Sequence, residues 1–394
     1  MKILFIPTTG GVGLVSHLIP LMSLEAKLSH SDHDTAFLLP TEFHPLAKEL
    51  KLNVVDMDHR AQDGLRTEIV AYQKFNPDVV VDDASVYTYF VKQVAKKPRA
   101  AVQRTGMFPG AIPRSKTHVH SMGQNVNMKE FEMVKNFGLR VPRHFEDLFA
   151  AEMKIVPGIG EIEVLPQPLK NDPSYVFSGP LLLEDSQLEK VNKYYQQKKG
   201  TLILYNPNHL NNFFDKNQKR FIVYFTFGNV ARAKKPIFDA IRYLLDNEVA
   251  VITNINIGEV PEKQKELYLY SSFLPMHYVC SRVNLMIHHC GSGTYQYQIL
   301  YQLPAITIGT GCWDREDVAL RLQELEVSKH LPQPDQCEDF GLSFKNAFVS
   351  FFGSSGNLYN NARKKLFDLK EVSRRVMAAF NFREVLEQAV GKFF

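Results

Sequence analysis

Two rhythms of apolar and polar positions alternate along the chain. Short continuous apolar runs bounded by Pro, Gly, Asn or Asp read as buried strands, and the stretches between them carry apolar residues every three or four positions, as on one helix face. KILFIP at the N-terminus is the first run. TTGGVG follows as a turn, and LVSHLIPLMSLEAKL has the helical spacing. The order recurs with TAFLLP as strand, HPLAKEL as helix, LNVVDM as strand, a helical stretch ending at Lys74 and PDVVVDDA as strand, then again through Tyr87 to Lys96 and AAVQRT. Strand, turn and helix in steady alternation predict a parallel sheet with helices on its faces.

From Gly106 to Pro142 the rhythm gives way to a long segment with Pro, Gly, Arg, His and Met, and long irregular insertions on a regular scaffold often carry recognition. IVPG and YVFSGPLLL return to short strands, and a polar region with KKG and NPNHLNN marks a linker. A second series opens at FIVYFTFGN. It runs through PIFDAIRYLLDN, VAVITNI, VNLMIHHCGSGT, YQYQILYQL, PAITIG and REDVALRLQELEV, and a helical stretch from Tyr359 to Phe394 closes the chain. The reading is α/β, with two doubly wound, Rossmann-like domains facing a cleft: 1–199, a linker at 200–220, 221–373, and a closing helix 374–394. The length of 394 residues, too great for one ordinary core, agrees with this division.

Composition narrows the class. With 45% hydrophobic and 22% charged residues the chain is globular, well outside the disordered regime. The formal charge of +4 is spread without a long basic run, so no nucleic-acid partner is predicted. Cys280, Cys290, Cys312 and Cys337 form no C-x-x-C pair and read as reduced thiols of a cytoplasmic protein. The apolar run in MKILFIP is too short for a signal peptide, and no stretch reaches the roughly 18 apolar residues of an integral membrane segment.

Candidate chemistry concentrates in LMIHHCGSGTYQYQ, where an apolar strand delivers a glycine turn and a helix begins. Such a turn offers backbone N–H groups and the positive end of a helix dipole, which favour phosphate. Gly291 and Gly293 allow close backbone approach, Ser292 and Thr294 supply hydroxyls, and His289 adds a ring N–H. The same letters also spell an ordinary strand-to-helix turn, and local chemistry leaves both readings open. Asp32-His33-Asp34 and Asp56-Met57-Asp58 have a D-x-D form, but acidic pairs are common at strand edges. His118-x-His120 lacks a spaced third ligand, so no metal site is predicted.

The stretch FLPMHYVCSRVNLMIHHCGSGTYQYQILYQLP resembles the nucleotide-sugar signature of family 1 glycosyltransferases, which have the GT-B fold. Pro275, His289, Gly291, Gly293, Thr294 and Pro304 fall in register with it. CWDREDVALRL resembles the family's Asp-Gln segment, FTFGN its glycine turn at the start of the donor domain, YVFSGPLL its "GP" strand, and ILFIPTTGGVGLVSHLIPL its opening strand, loop and helix. The resemblance implies an inverting, metal-independent enzyme of hexosyltransferase type and of the bacterial natural-product kind met in antibiotic biosynthesis. It would move a sugar from a UDP- or dTDP-type nucleotide diphosphate sugar, a co-substrate with no other cofactor, to a small, partly apolar acceptor, as a monomer or homodimer. By position, His289, Gly291, Ser292, Gly293 and Thr294 would hold the diphosphate, with Gly228 and Asn229 beside it. Leu274 and Pro275 would border the nucleobase, and Asp314 would hold sugar hydroxyls. Acceptor contacts would come from Gly11, Leu14, Met107, Phe108 and His118.

The sequence departs from the family at its usual base, a histidine just after the N-terminal glycine loop. Leu14 stands there, and leucine cannot take a proton. His17 lies one helical turn on, about 5 Å along the axis. It reads either as a substitute base or as an ordinary helix histidine. Asp83 matches the aspartate that often orients the family's histidine and is a second candidate base, with Asp82 beside it expected in solvent. Tyr297 stands where the family commonly has a ribose-binding glutamate, leaving Gln296 or Gln298 to help. Arg315 replaces the usual glutamine after Asp314, either to recognise an unusual sugar or to pair with Glu316. The alternative reading is a nucleotide-binding partner protein that keeps the fold without catalysis, which Leu14 would permit.

Overall fold

The computed structural model describes all residues but 9–13, 29–32, 57–63, 113, 115–133, 135–136, 200–205, 228–234 and 353–356. The chain divides into two compact units, one of Met1–Ile112, Val119–Leu183 and Arg374–Phe394, the other of Pro113–His118 and Glu184–Ser373.

Among the described residues, the first unit holds a seven-stranded sheet in the order β3-β2-β1-β4-β5-β6-β7. Its strands are β1 (Lys2–Pro7), β2 (Asp34–Leu39), β3 (Val54–Asp56), β4 (Val79–Asp83), β5 (Arg99–Val102), β6 (Met153–Pro157) and β7 (Tyr175–Gly179). Every pairing is parallel. Helices α1 (Leu14–Ala26), α2 (His44–Leu50), α3 (Gly64–Phe75) and α4 (Val86–Ala95) connect the first five strands. Parallel strands covered on both faces are mostly apolar on both, which explains why KILFIP and the VVV of β4 do not alternate. Leu4, Ile6, Leu38, Val80, Phe90 and Leu148 form one core cluster, and Phe5 stacks on Phe37 with ring centroids 4.9 Å apart.

Asp82 corrects the expectation of a solvated side chain. It is fully buried and takes a two-pronged bond from Arg99, Nε to Oδ1 at 2.6 Å and Nη2 to Oδ2 at 2.8 Å. Arg99 also donates to the backbone oxygens of Leu148, Ala150 and Ser85. Beside this pair, Glu68 accepts from Ser85 Oγ at 2.6 Å and Thr88 Oγ1 at 2.9 Å. A buried cation is tolerable because its donors are satisfied this fully.

In the second unit the described residues form a six-stranded parallel sheet in the order β10-β9-β8-β11-β12-β13. The strands are β8 (Ile222–Thr226), β9 (Ala250–Thr253), β10 (Tyr268–Tyr270), β11 (Leu285–His288), β12 (Ala305–Ile308) and β13 (Ser328–Leu331). Its helices are α5 (Asp185–Lys199), α6 (Pro207–Asn217), α7 (Lys235–Asp246), α8 (Met276–Cys280), α9 (Ser292–Leu300), α10 (Trp313–Glu324) and α11 (Phe340–Phe352). A long α12 (Asn357–Ala379) and a final α13 (Phe382–Phe393) follow.

The boundary differs from the expected linker at 200–220. The break comes at Leu183, and α5 goes with the second unit because Asp185 accepts the backbone N–H groups of His277 and Tyr278 at 2.9 and 2.8 Å. Residues 207–217 are helix, started by Pro207 with Asn206 accepting from Asn208 N, and Leu210, Phe213 and Phe214 are buried. Arg374–Phe394 clusters with the first unit, where Phe382 lies 6.3 Å from Phe5. Gly179 accommodates this segment: its φ is +68°, and a Cβ there would lie 2.3 Å from Met377 Cγ.

Candidate functional site

In an open parallel sheet, ligands gather outside the carboxyl ends of the strands at the point where the strand order reverses. The first sheet reverses between β1 and β4, and the second between β8 and β11. The candidate polar residues fall at these two places.

In the first unit, Asp83 is the last residue of β4 and His17 lies in α1, the helix that follows β1. His17 Nδ1 is 2.9 Å from Asp83 Oδ1. The helical turn between Leu14 and His17 therefore does not carry the ring out of reach of the carboxylate. With Nδ1–H donating to Asp83, Nε2 is the nitrogen left to accept a proton. Asp83 is fully buried, while the His17 side chain keeps 21% of its surface exposed. Arg104 occupies the other carboxylate oxygen, Nη2 to Oδ2 at 2.6 Å, with its Nη1 at 3.5 Å from His17 Nδ1. Burial pushes the Asp83 carboxyl up, but the charges of Arg104 and His17 outweigh it and hold the group below its usual range.

Sequence reasoning missed Arg104. The available signal was a charged residue just past the apolar run AAV, because the carboxyl end of a central parallel strand is where functional side chains collect. Phe108 is a core residue, buried against Val156 and Leu165 and edge-on to Tyr175 at 6.0 Å, and Met107 is also buried. Leu14 is the first residue of α1. Gly11 and His118, like Asp32, Asp58 and His120, lie outside the described residues.

In the second unit the two adjacent histidines have separate tasks. His288 ends β11 with its Nε2 3.1 Å from Gln298 Oε1, while its Nδ1 accepts from Cys290 N at 3.1 Å. It is a fully paired core residue, and burial holds its ring down to about 4. His289 is only 6% exposed, stacks on Phe227 at 6.2 Å, and its Nδ1 has no hydrogen-bond partner. Burial, then the charge of Arg315 and the neighbouring His288, hold its ring down to about 3. It is thus a neutral ring, able to donate one N–H.

Cys290 takes a left-handed φ of 60°, which turns the chain sharply into α9. Gly291 caps that helix, with Ser292, Gly293 and Thr294 forming its first turn. Leu274 and Pro275 are buried, and Pro275 caps α8. Asp314 and Arg315 lie in the first turn of α10, which follows β12, the strand beside β11. Arg315 Nη1 and Thr310 Oγ1 are buried without a hydrogen-bond partner. Glu316 Oε1 accepts from Gly311 N at 3.2 Å. Tyr297 is buried on α9, where burial pushes its phenol well up, and Gln298 is held by His288 and by Val327 O. Gly228 and Asn229 lie outside the described residues.

Solved structures share this architecture over the whole chain. The glycosyltransferase UGT2 of Phytolacca americana, complexed with UDP-2-fluoro-glucose and pterostilbene, matches at TM-score 0.69 and 13% identity, covering 100% of both chains. VinC, a glycosyltransferase in complex with dTDP, matches at TM-score 0.64 and 13% identity over 99% of each chain. CalG4, the calicheamicin glycosyltransferase, matches at TM-score 0.58 and 15% identity, covering 99% of this chain and 98% of its own.

The fold is that of the GT-B glycosyltransferases.

No protein-family model and no curated protein sequence matches the chain. Among the described residues, no group of three or more His, Cys, Asp and Glu side chains could hold a metal ion. No helix of the described residues is long and apolar enough to cross a membrane.

Proposed function

We propose that this protein transfers a sugar from a UDP- or dTDP-type nucleotide diphosphate sugar to a small acceptor, with inversion and without a required metal ion. The second unit binds the donor. The turn His289–Thr294 meets the diphosphate with the first N–H groups of α9 and the His289 ring, and Arg315 adds a positive charge near the same turn. The first unit binds the acceptor hydroxyl at His17 Nε2. His17 takes the proton as the acceptor oxygen attacks the anomeric carbon, and the bond to the diphosphate breaks with its electron pair leaving on the phosphate oxygen. The turn and Arg315 then act where negative charge grows.

The observation that carries this reading is the 2.9 Å contact between His17 and the buried Asp83. Leu14 alone would favour a partner protein without catalysis. A histidine oriented by a buried carboxylate at a sheet switch point supports an enzyme instead. The test is calorimetric titration with UDP, dTDP and GDP in chelator and then with magnesium, followed by transfer assays on wild type and His17→Ala. Chelator-resistant binding lost in His289→Ala, with transfer lost in His17→Ala, is expected. Binding without transfer to any acceptor would favour the partner protein, and no binding at all would dismiss both.

A further inference from the structure

Among the described residues, eight positions other than glycine have a left-handed φ. Six of them, Lys51, Asn76, Lys96, Glu248, Gln302 and Glu326, stand one or two places past the end of a helix, where a left-handed residue is a routine way to stop. The other two are Ala84 and Cys290, with φ of 58° and 60°. Each lies just past a strand at a switch point, Ala84 after β4 and Cys290 after β11. Left-handed backbone under a side chain larger than glycine's is strained, and it persists where neighbouring groups hold it.

Cys290 stands between His289 and Gly291, so its backbone sets the His289 ring relative to the first N–H groups of α9. The two are closely packed, since a Cβ on Gly291 would lie 2.7 Å from His289 Nε2. The group that holds Cys290 is His288. Its Nδ1 accepts from Cys290 N at 3.1 Å, so in the neutral ring the proton is on Nε2, which donates to Gln298 Oε1 at 3.1 Å. Gln298 Nε2 donates in turn to Val327 O at 3.2 Å, and this fixes which way its amide faces. His288 and Gln298 are both fully buried. A line of bonds thus runs from the backbone before β13 through α9 and the end of β11 to the amide of the strained residue.

We infer that His288 is a positioning residue that holds Cys290 in its left-handed form and so sets the His289–Thr294 turn in the shape that receives a diphosphate. This deepens the donor reading above and rests on it. A neutral imidazole suits the task because one nitrogen accepts while the other donates, which ties the turn to the helix behind it. A turn shaped before the ligand arrives does not have to be ordered at the moment of binding.

The test titrates UDP and dTDP by calorimetry into wild type, His288→Asn, His288→Gln and the double variant of His288→Gln with Cys290→Gly. Asparagine sets an amide oxygen near the place of Nδ1 and keeps the bond to Cys290 N. Glutamine sets an amide nitrogen near the place of Nε2 and keeps the bond to Gln298 instead. Both lose the ring and one hydrogen bond, so thermal unfolding should show similar losses of stability. His288→Asn is expected to bind within about twofold of wild type, since the competent turn stays populated. His288→Gln should bind about tenfold or more weakly, as when no more than about a tenth of the molecules hold that turn. Cys290→Gly should restore most of the loss, because glycine takes a left-handed φ without help.

His288→Asn binding no better than His288→Gln, or a double variant no better than His288→Gln alone, would make His288 a packing residue and overturn the inference while leaving the diphosphate reading intact. The ring tautomer of the wild type decides the matter even if no variant folds. NMR of histidine labelled at its ring nitrogens is expected to find the His288 proton on Nε2; a proton on Nδ1, which could not then accept from Cys290, overturns the inference. A wild type that binds neither nucleotide removes the diphosphate reading and this inference together.

Discussion

His289 and Gly291 are packed so that a Cβ on Gly291 would lie 2.7 Å from His289 Nε2. The ring cannot easily swing aside, because it is 6% exposed and stacked on Phe227. Gly291→Ala must displace the ring or the first turn of α9, and both belong to the candidate diphosphate site. UDP affinity in calorimetry is expected to fall about tenfold or more, equivalent to roughly 1.4 kcal/mol. Gly293→Ala provides the contrast, since its Cβ meets nothing within 4 Å. Alanine at this helical position should stabilise the second unit by about 0.5–1 kcal/mol. If UDP binding nevertheless falls in Gly293→Ala, the phosphates occupy that open space; unchanged binding would move them away from it.

The base assignment gives a sharper split. On the proposed reading, His17→Gln removes the proton acceptor of the first unit and leaves the donor-binding residues of the second unchanged. Transfer measured as kcat/KM is expected to drop by about 10²–10⁴, the usual contribution of general base catalysis. UDP affinity should be unchanged. A loss confined to donor affinity would place His17 outside the chemistry.

The fold was legible because strand, glycine turn and helix follow one another so regularly that only parallel sheets with crossover helices can accommodate them. The second-unit site was legible for a related reason: its strand, turn and helix start are contiguous from Leu285 to Leu300. Contacts between distant strands were not. Asp82 and Asp83 are neighbours that point to opposite faces of β4, as period-two alternation requires. Yet only the strand order, which places β5 beside β4, reveals that Arg99 claims the first and Arg104 the second. The same holds for His17, which the sequence left open between a substitute base and an ordinary helix histidine, and which is seen beside Asp83 only once the end of β4 is placed next to α1. Phe108 shows a different gap, because its apolar character suited an acceptor contact while nothing in the sequence signalled that it packs against Val156 and Leu165.

Arg315 separates two recognition schemes. Its charge is felt at His289, and its Nη1 is buried without a hydrogen-bond partner. On the proposed reading, a cation so close to the His289–Thr294 turn acts on the diphosphate itself. Arg315→Gln is therefore expected to weaken UDP binding about tenfold, as loss of a charge-assisted contact does, and to flatten its dependence on salt. A loss seen only with a uronic acid donor, and absent with UDP, would assign the residue to the sugar.

Stability should depend on pH in opposite senses in the two units. Burial pushes Glu68 up to about 7 from 4.5, against the hydrogen bonds of Ser85 and Thr88. A carboxyl raised in the folded state holds its proton where the unfolded chain has already released it, so stability falls as pH rises from about 4.5 to about 7. His288 and His289 work the other way. Their rings are held down to about 4 and about 3 from 6.5, so their stabilising effect is full above 6.5 and is lost as pH falls toward those values. Glu68→Gln keeps an oxygen to accept from Ser85 and an amide that can donate to Thr88, while removing the titration. The variant is expected to gain stability relative to wild type on going from pH 5 to pH 8, up to a ceiling of about 3 kcal/mol at 1.36 kcal/mol per pKa unit. Urea unfolding at the two pH values measures it. Parallel curves for variant and wild type would mean that Glu68 titrates as an ordinary carboxylate, and the buried network around Asp82 and Arg99 would then have to be open to water.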